Sequence, residues 1–305
     1  MEYLFLEDEV KDAYLKLKNM IYYDKSYLFN RDKLAAFEFK NKVCESSTED
    51  IFKKLTNKIN YICNDEVFLN KYLSKLSAHI LPKKIHTQRE YEQKNIKDTF
   101  ASRTFQMISN RSCSTKYIVD DVNYYIDIPI ELQILDVLWI VKCGYVLENS
   151  LCDYLGKNRS CYSYANKLCL DSEGKVATGR KLFKHYYNQY PKWRDSAIKE
   201  VENLYSSGKN SVIFSLDITK YYYNININYE VLFKEIEEKL QSNFDKNCKI
   251  LNRILRDIHN KYRNYLYKKY GMNFIEKDVN YLPIGLLSSN IIANWYLEAF
   301  DKLVI

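Results

Sequence analysis

Asp217 closes the apolar run Ser211-Val212-Ile213-Phe214-Ser215-Leu216, and the aromatic cluster Tyr221-Tyr222-Tyr223 follows it. The run is β-branched and aromatic-rich, and the polar loop SSGKN precedes it, so it reads as a short, largely buried strand ending in a carboxylate. Burying an ionised carboxylate is unfavourable unless it is paired or holds a metal ion. Two readings of Asp217 follow: a metal ligand at a strand end, or a cap for the next segment that makes no chemistry. A second acidic site is Asp120-Asp121, between the β-rich runs KYIV and NYYIDI. The pattern predicts a hairpin with both aspartates at its turn, and turn chemistry accounts for them better than a metal pair does.

Other reactive residue types carry little signal. The 8 cysteines form no C-x-x-C pair and the chain has only 4 histidines, so no zinc-ligand spacing is present and reduced, structural cysteines are expected. His185 stands alone among aromatics and reads as packed.

The elements that must position Asp217 are mostly helical. Only 7 Gly and 4 Pro in 305 residues indicate a helix-rich chain with few tight turns, long enough for two or three subdomains. Residues 1–80 read as three charged helices, the third spanning EVFLNKYLSKLSAHIL up to Pro82. After Pro129, IELQILDVLWIVKCGYVLENSL reads as an apolar helix with Trp139 in the core. KLFKHYYNQYPKWRDSAIKEVENLY reads as two helices broken at Pro191. Tyr229 to Tyr270 reads as one long amphipathic helix with Gly271 as its C-cap.

No apolar run approaches the ~20 residues of a membrane span. The start MEYLFLEDEVKD is acidic where a signal peptide is basic, so a soluble cytoplasmic protein is expected. The net charge of +7 permits a polyanionic partner without requiring one. Basic residues interleaved with the 29 tyrosines would suit single-stranded nucleic acid, although an AT-rich coding sequence also accounts for most of these tyrosines.

Two blocks, D-I-T-K-Y-Y at Asp217–Tyr222 and L-P-I-G-L-L-S-S-N-I-I-A-N-W-Y-L at Leu282–Leu297, together and in this order resemble reverse transcriptases. YYIDIPIELQILDVLW resembles the fingers segment of the bacterial enzymes, and the WRD stretch before Asp217 is similar to the antiphage-defence, abortive-infection branch. The resemblance covers roughly residues 110–305. It implies an α+β, helix-rich right-hand polymerase, with a helical extension at 1–80, fingers at 81–208 and a partial palm at 209–305. The extension would pack on the next region or on a partner.

The implied activity is RNA-directed DNA synthesis. Its Mg²⁺ pair, about 3.5–4 Å apart, clamps the attacking hydroxyl and the leaving pyrophosphate. By resemblance Asp217 and the Ile218 carbonyl are metal ligands, and the Tyr222 ring excludes a 2′-hydroxyl. Gly285 would bring backbone close to the template–nucleotide pair, where Ser288, Ser289 and Asn290 would hydrogen-bond. Lys116 would contact the triphosphate, with Lys83, Lys84 and Arg103 as weaker candidates. The implied partners are an RNA template (a dedicated noncoding RNA among the options), the DNA product, deoxynucleotides, and a partner protein or a second copy.

The family's Tyr-x-Asp-Asp hairpin and its thumb are expected beyond Leu297, and the 305 residues do not contain them. These residues alone are therefore expected not to polymerise. A truncated enzyme, a fragment completed by a partner, and a permuted motif at Asp120-Asp121 are the three explanations. The alternative functions are a non-catalytic RNA-binding scaffold with a polymerase-like fold, and a template-independent or protein-primed DNA polymerase. An RNA-dependent RNA polymerase is the weaker alternative, since Tyr222 argues against it.

Overall fold

The computed structural model describes residues 3–23, 28–41, 48–87, 107–108, 116–148, 165–214, 217–270 and 279–304. Four helices open the chain: α1 (Glu7–Tyr23), α2 (Leu28–Lys40), α3 (Thr48–Asn64) and α4 (Glu66–Leu73). Helix α1 starts on Glu7, Asp8 and Glu9, which suit the positive end of the helix dipole, and buries Val10, Ala13, Tyr14, Leu17 and Ile21 along one face.

A three-stranded antiparallel sheet follows, in the order β1 (Ser77–Thr87), β3 (Lys116–Asp127), β2 (Met107–Ile108). The register of β1 on β3 runs from Ser77 opposite Asp127 to Thr87 opposite Tyr117, with irregularities between Pro82 and Ile85. Proline cannot donate to a ladder, and bulges are where strands accommodate it.

Helix α5 (Ile130–Trp139) is buried over its whole length and continues into a π-helical turn at Ile140–Gly144. A predominantly apolar helix buried on all sides belongs in the middle of a core. Helices α1, α2, α9 (Lys246–Tyr270) and α10 (Leu287–Val304) pack around it. Between them lie α6 (Tyr186–Ser206), α7 (Tyr221–Asn224) and α8 (Tyr229–Leu240). One hydrophobic core runs from Leu4 to Ala293, so the first helices share their interior with the rest of the chain.

The turn at Gly144 is tight. A Cβ there would stand 2.5 Å from the Trp139 ring. That ring is 1% exposed, and its Nε1 donates to Asn252 Oδ1 at 2.7 Å. The indole cannot retreat without breaking this bond. Gly144→Ala is expected to destabilise by about 1–3 kcal/mol, the usual cost of overpacking. An unchanged urea midpoint would contradict it.

The structure is the expected helix-rich α+β chain, but four helices rather than three precede the sheet, α2 (Leu28–Lys40) being the one the sequence pattern did not mark, and five further local differences occur. Helix α4 stops at Leu73, and residues 77–81 are strand, because the ladder with β3 overrides the helical pattern. KYIVDDVNYYID is one continuous strand, not a hairpin, so Asp120 and Asp121 sit mid-strand opposite β1. Helix α6 runs unbroken through Pro191, whose ring removes one backbone bond without ending the helix. The stretch 229–270 is two helices. Gln241 adopts a left-handed φ of 49°, and Asp245 caps α9 by accepting from Cys248 N at 2.9 Å. The fifth difference, at residues 211–214, belongs to the site, and Ser215 and Leu216 lie outside the described residues.

Among the described residues no helix is long and apolar enough to cross a membrane. Cys63, Cys143, Cys169 and Cys248 are free thiols. Arg103, Gly271, Cys44, Cys113, Cys152 and Cys161 lie outside the described residues.

Candidate functional site

The expected buried strand before Asp217 is not formed. Residues 211–214 belong to no helix or strand and are exposed, with Val212, Ile213 and Phe214 at 77%, 61% and 84% exposure. A β-branched run becomes a buried strand only where a neighbouring edge supplies hydrogen bonds and a facing layer covers it. The described sheet contains β1, β3 and β2 alone. Asp217 and Ile218 are exposed in turn.

The chain then bends sharply. Lys220 adopts φ 51°, a left-handed conformation that costs a non-glycine residue roughly 1–3 kcal/mol. Its carbonyl accepts from Tyr223 N at 2.9 Å and Asn224 N at 3.1 Å, which closes α7. Its ammonium lies 3.4 Å from Asp121 Oδ1, an ion pair that ties the bend to the middle of β3.

Three consecutive tyrosines anchor α7. Tyr221 OH donates to Ala293 O at 2.6 Å, and Tyr222 OH donates to Asn290 Oδ1 at 2.8 Å, both on α10. Tyr223 OH accepts from Tyr124 N of β3 at 2.9 Å. Burial pushes the Tyr222 phenol up to about 12, so it stays a neutral donor near neutral pH.

Beyond α7, Ile225, Ile227 and Tyr229 are buried while Asn224, Asn226 and Asn228 are exposed, the period of an extended strand. This stretch lies along residues 280–282: Ile227 N donates to Asn280 O, and Leu282 N to Tyr222 O, each at 2.9 Å. Residue Ile284 then bridges to β3 through Ile126 N at 2.8 Å. Gly285 takes φ 105°, a conformation L residues rarely adopt. A Cβ there would meet Ile126 and Tyr125 only at 3.6 Å, so the glycine is required by backbone conformation, not by crowding.

Helix α10 begins on a carboxylate from another helix. Asp136, in the middle of α5, accepts from Leu287 N at 2.9 Å, from Ser288 N at 3.2 Å and from Ser288 Oγ. The first N–H groups of a helix lack partners within it, so Asp136 caps α10 across the core. Ser288 and Ser289 are both fully buried, and Ser289 Oγ has no partner. Asp136 itself was not anticipated from the sequence. The available signal was an aspartate in the middle of the apolar IELQILDVLW, since a buried Asp needs a partner.

The fold thus brings Tyr222 and Asn290 together and sets Asp217 five residues upstream on an exposed bend. Lys116 opens β3, opposite Ile108, while Lys83 is exposed on β1 and Lys84 lies in its irregular stretch. No group of three or more His, Cys, Asp or Glu able to share a metal ion occurs among the described residues. No protein-family model, curated protein or solved structure matches the chain.

Proposed function

We propose that this chain is the fingers and partial palm of an RNA-directed DNA polymerase of the bacterial antiphage-defence type. The observation that carries this reading is the Tyr222–Asn290 hydrogen bond. It joins the two sequence blocks, 68 positions apart, that resemble the family's motifs. In this reading Asp217 and the Ile218 carbonyl face the incoming deoxynucleotide, and the Tyr222 ring, fixed through its hydroxyl, lies under the sugar. Mg²⁺ commonly takes one or two protein carboxylates along with water and phosphate oxygens. The exposed Asp217 carboxylate and Ile218 carbonyl fit one such ion, which would neutralise triphosphate charge when bound. They do not fit a two-ion clamp.

A non-catalytic RNA-binding scaffold is the second reading. The exposure of Val212, Ile213 and Phe214 favours it, because an uncovered apolar segment before the aspartate is a surface for a partner. A polypeptide that carries the Tyr-x-Asp-Asp hairpin separates the two. The enzyme incorporates labelled deoxynucleotides on a primed RNA, and the scaffold does not.

The sugar-contact role has its own test. Tyr222→Ala is expected to raise the ribonucleotide share of incorporation by about tenfold, roughly 1.4 kcal/mol of discrimination. Tyr222→Phe keeps the ring, so it should keep most of the selectivity while losing the bond to Asn290. Equal dNTP/NTP ratios in wild type and Tyr222→Ala would assign Tyr222 to packing alone.

A further inference from the structure

Helix α6 spans 21 residues and buries none of them. A helix of that length in a globular chain ordinarily buries one face. On α6 one face carries Tyr186, Tyr190 and Trp193, at 72%, 44% and 53% exposure. Their spacing of four and three residues sets them in a row. Ring centroids are 5.7 Å apart at both steps, with interplanar angles of 39° and 41°. A second row meets it at the helix start, where Tyr187 stacks on His185 at 5.3 Å and His185 packs on Tyr23 at 4.7 Å.

Charge follows the rings. Residues 180–194 hold Arg180, Lys181, Lys184, Lys192 and Arg194, all exposed, and no Asp or Glu. The carboxylates of α6, Asp195, Glu200 and Glu202, come after the last ring of the row. Arg194 Nε donates to Asp195 Oδ1 at 2.7 Å.

We propose that this face binds a single strand of RNA, its bases stacking on Tyr186, Tyr190 and Trp193 and its phosphates meeting Arg180, Lys181, Lys184 and Lys192. Unstacked bases take aromatic rings and guanidinium planes as platforms, and the backbone takes cations. The three rings lie in a stretch whose charged side chains are all cationic, and rings and cations together match both requirements. That the strand is RNA rests on the polymerase reading; the stacking does not.

The test uses the 305-residue chain and a fluorescein-labelled 12-mer oligouridylate, read by anisotropy across a salt series. Tyr190→Ala/Trp193→Ala is expected to weaken binding about tenfold or more with the salt slope unchanged, since stacking displaces no counterions. Lys184→Gln/Lys192→Gln is expected to flatten the slope by roughly 0.7 for each phosphate that is no longer neutralised. The thermal midpoint should hold in both variants, because α6 buries nothing. Unchanged affinity of the ring variant would overturn the proposal, as would equal affinity for a blunt RNA duplex or tighter binding of the deoxy strand. A concentration-dependent dimer abolished by Trp193→Ala, with RNA affinity intact, would assign the face to a second copy instead. Failure here is separable from failure of the polymerase reading. Ring variants that keep RNA affinity remove only the stacking face, and a chain that binds RNA through the rings but never incorporates nucleotide removes only the polymerase.

Discussion

Asp136→Ala is expected to lower the unfolding free energy by about 3–5 kcal/mol at neutral pH. Two backbone N–H groups and one hydroxyl end on this carboxylate, and Asp136 and Ser288 are 3% and 0% exposed. Alanine leaves these donors buried and unpaired, at roughly 1–3 kcal/mol each before relaxation. The loss reaches the candidate site, because α10 carries Asn290 and Ala293, the partners of Tyr222 and Tyr221. Urea unfolding measures it, and a change under about 1 kcal/mol would show that α10 does not depend on this cap.

The same residue has a pH signature. Burial pushes the Asp136 carboxyl from its usual 3.8 up to about 6, against the hydrogen bonds from Ser288 and Leu287. The folded chain therefore keeps a proton that the unfolded chain has released. The stability from Asp136 is complete below pH 3.8 and is lost as pH rises to about 6. His259 behaves in the opposite sense. Burial pushes its imidazole from 6.5 down to about 3, so its contribution is complete above pH 6.5 and is lost as pH falls. Between pH 4 and 6 each group contributes a slope of about 1.4 kcal/mol per pH unit, with opposite signs, and the two cancel. Asp136→Asn is expected to expose the His259 slope, with stability falling by about 2 kcal/mol from pH 6 to 4.5 relative to wild type. His259→Gln should show the reverse trend. Profiles parallel to wild type in both variants would contradict the assignment.

Asp217→Asn is expected to abolish deoxynucleotide incorporation by a polypeptide carrying the complete site, a loss on the order of 10³-fold or about 4 kcal/mol. The substitution is nearly isosteric and removes only the charge. Asp217 is exposed, so folding stability should change by no more than about 0.5 kcal/mol. That contrast gives the experiment its force, because an activity loss without a stability loss is not a packing effect. Incorporation at the wild-type rate would sink the metal-ligand role and leave Asp217 as an exposed residue before a turn.

How far the sequence could be read depended on whether a segment's partners were near in the chain. The buried faces of α1 and α9 and the predominantly apolar α5 were legible, because a helix makes its hydrogen bonds within itself and its periodicity states which face is buried. EVFLNKYLSKLSAHIL was misread past Leu73, since residues 77–81 pair with β3 about 50 positions away. Asp120 and Asp121 were misplaced at a turn for the same reason. Asp245 as the start of α9 was in the sequence as a local cap, and the long amphipathic pattern around it hid the break.

Asp217, the feature with the clearest chemical promise, is exposed where a buried strand end was expected. The sequence by itself determined the helix-rich class, the apolar central helix, and the order of the two blocks whose residue types suggest nucleotide chemistry. Only the tertiary structure decided that Tyr222 meets Asn290, that Asp136 caps α10, and that residues 211–214 lie open to solvent. Each of these depends on a distant group completing a hydrogen bond or covering a surface, and local propensity carries no information about where that group will be.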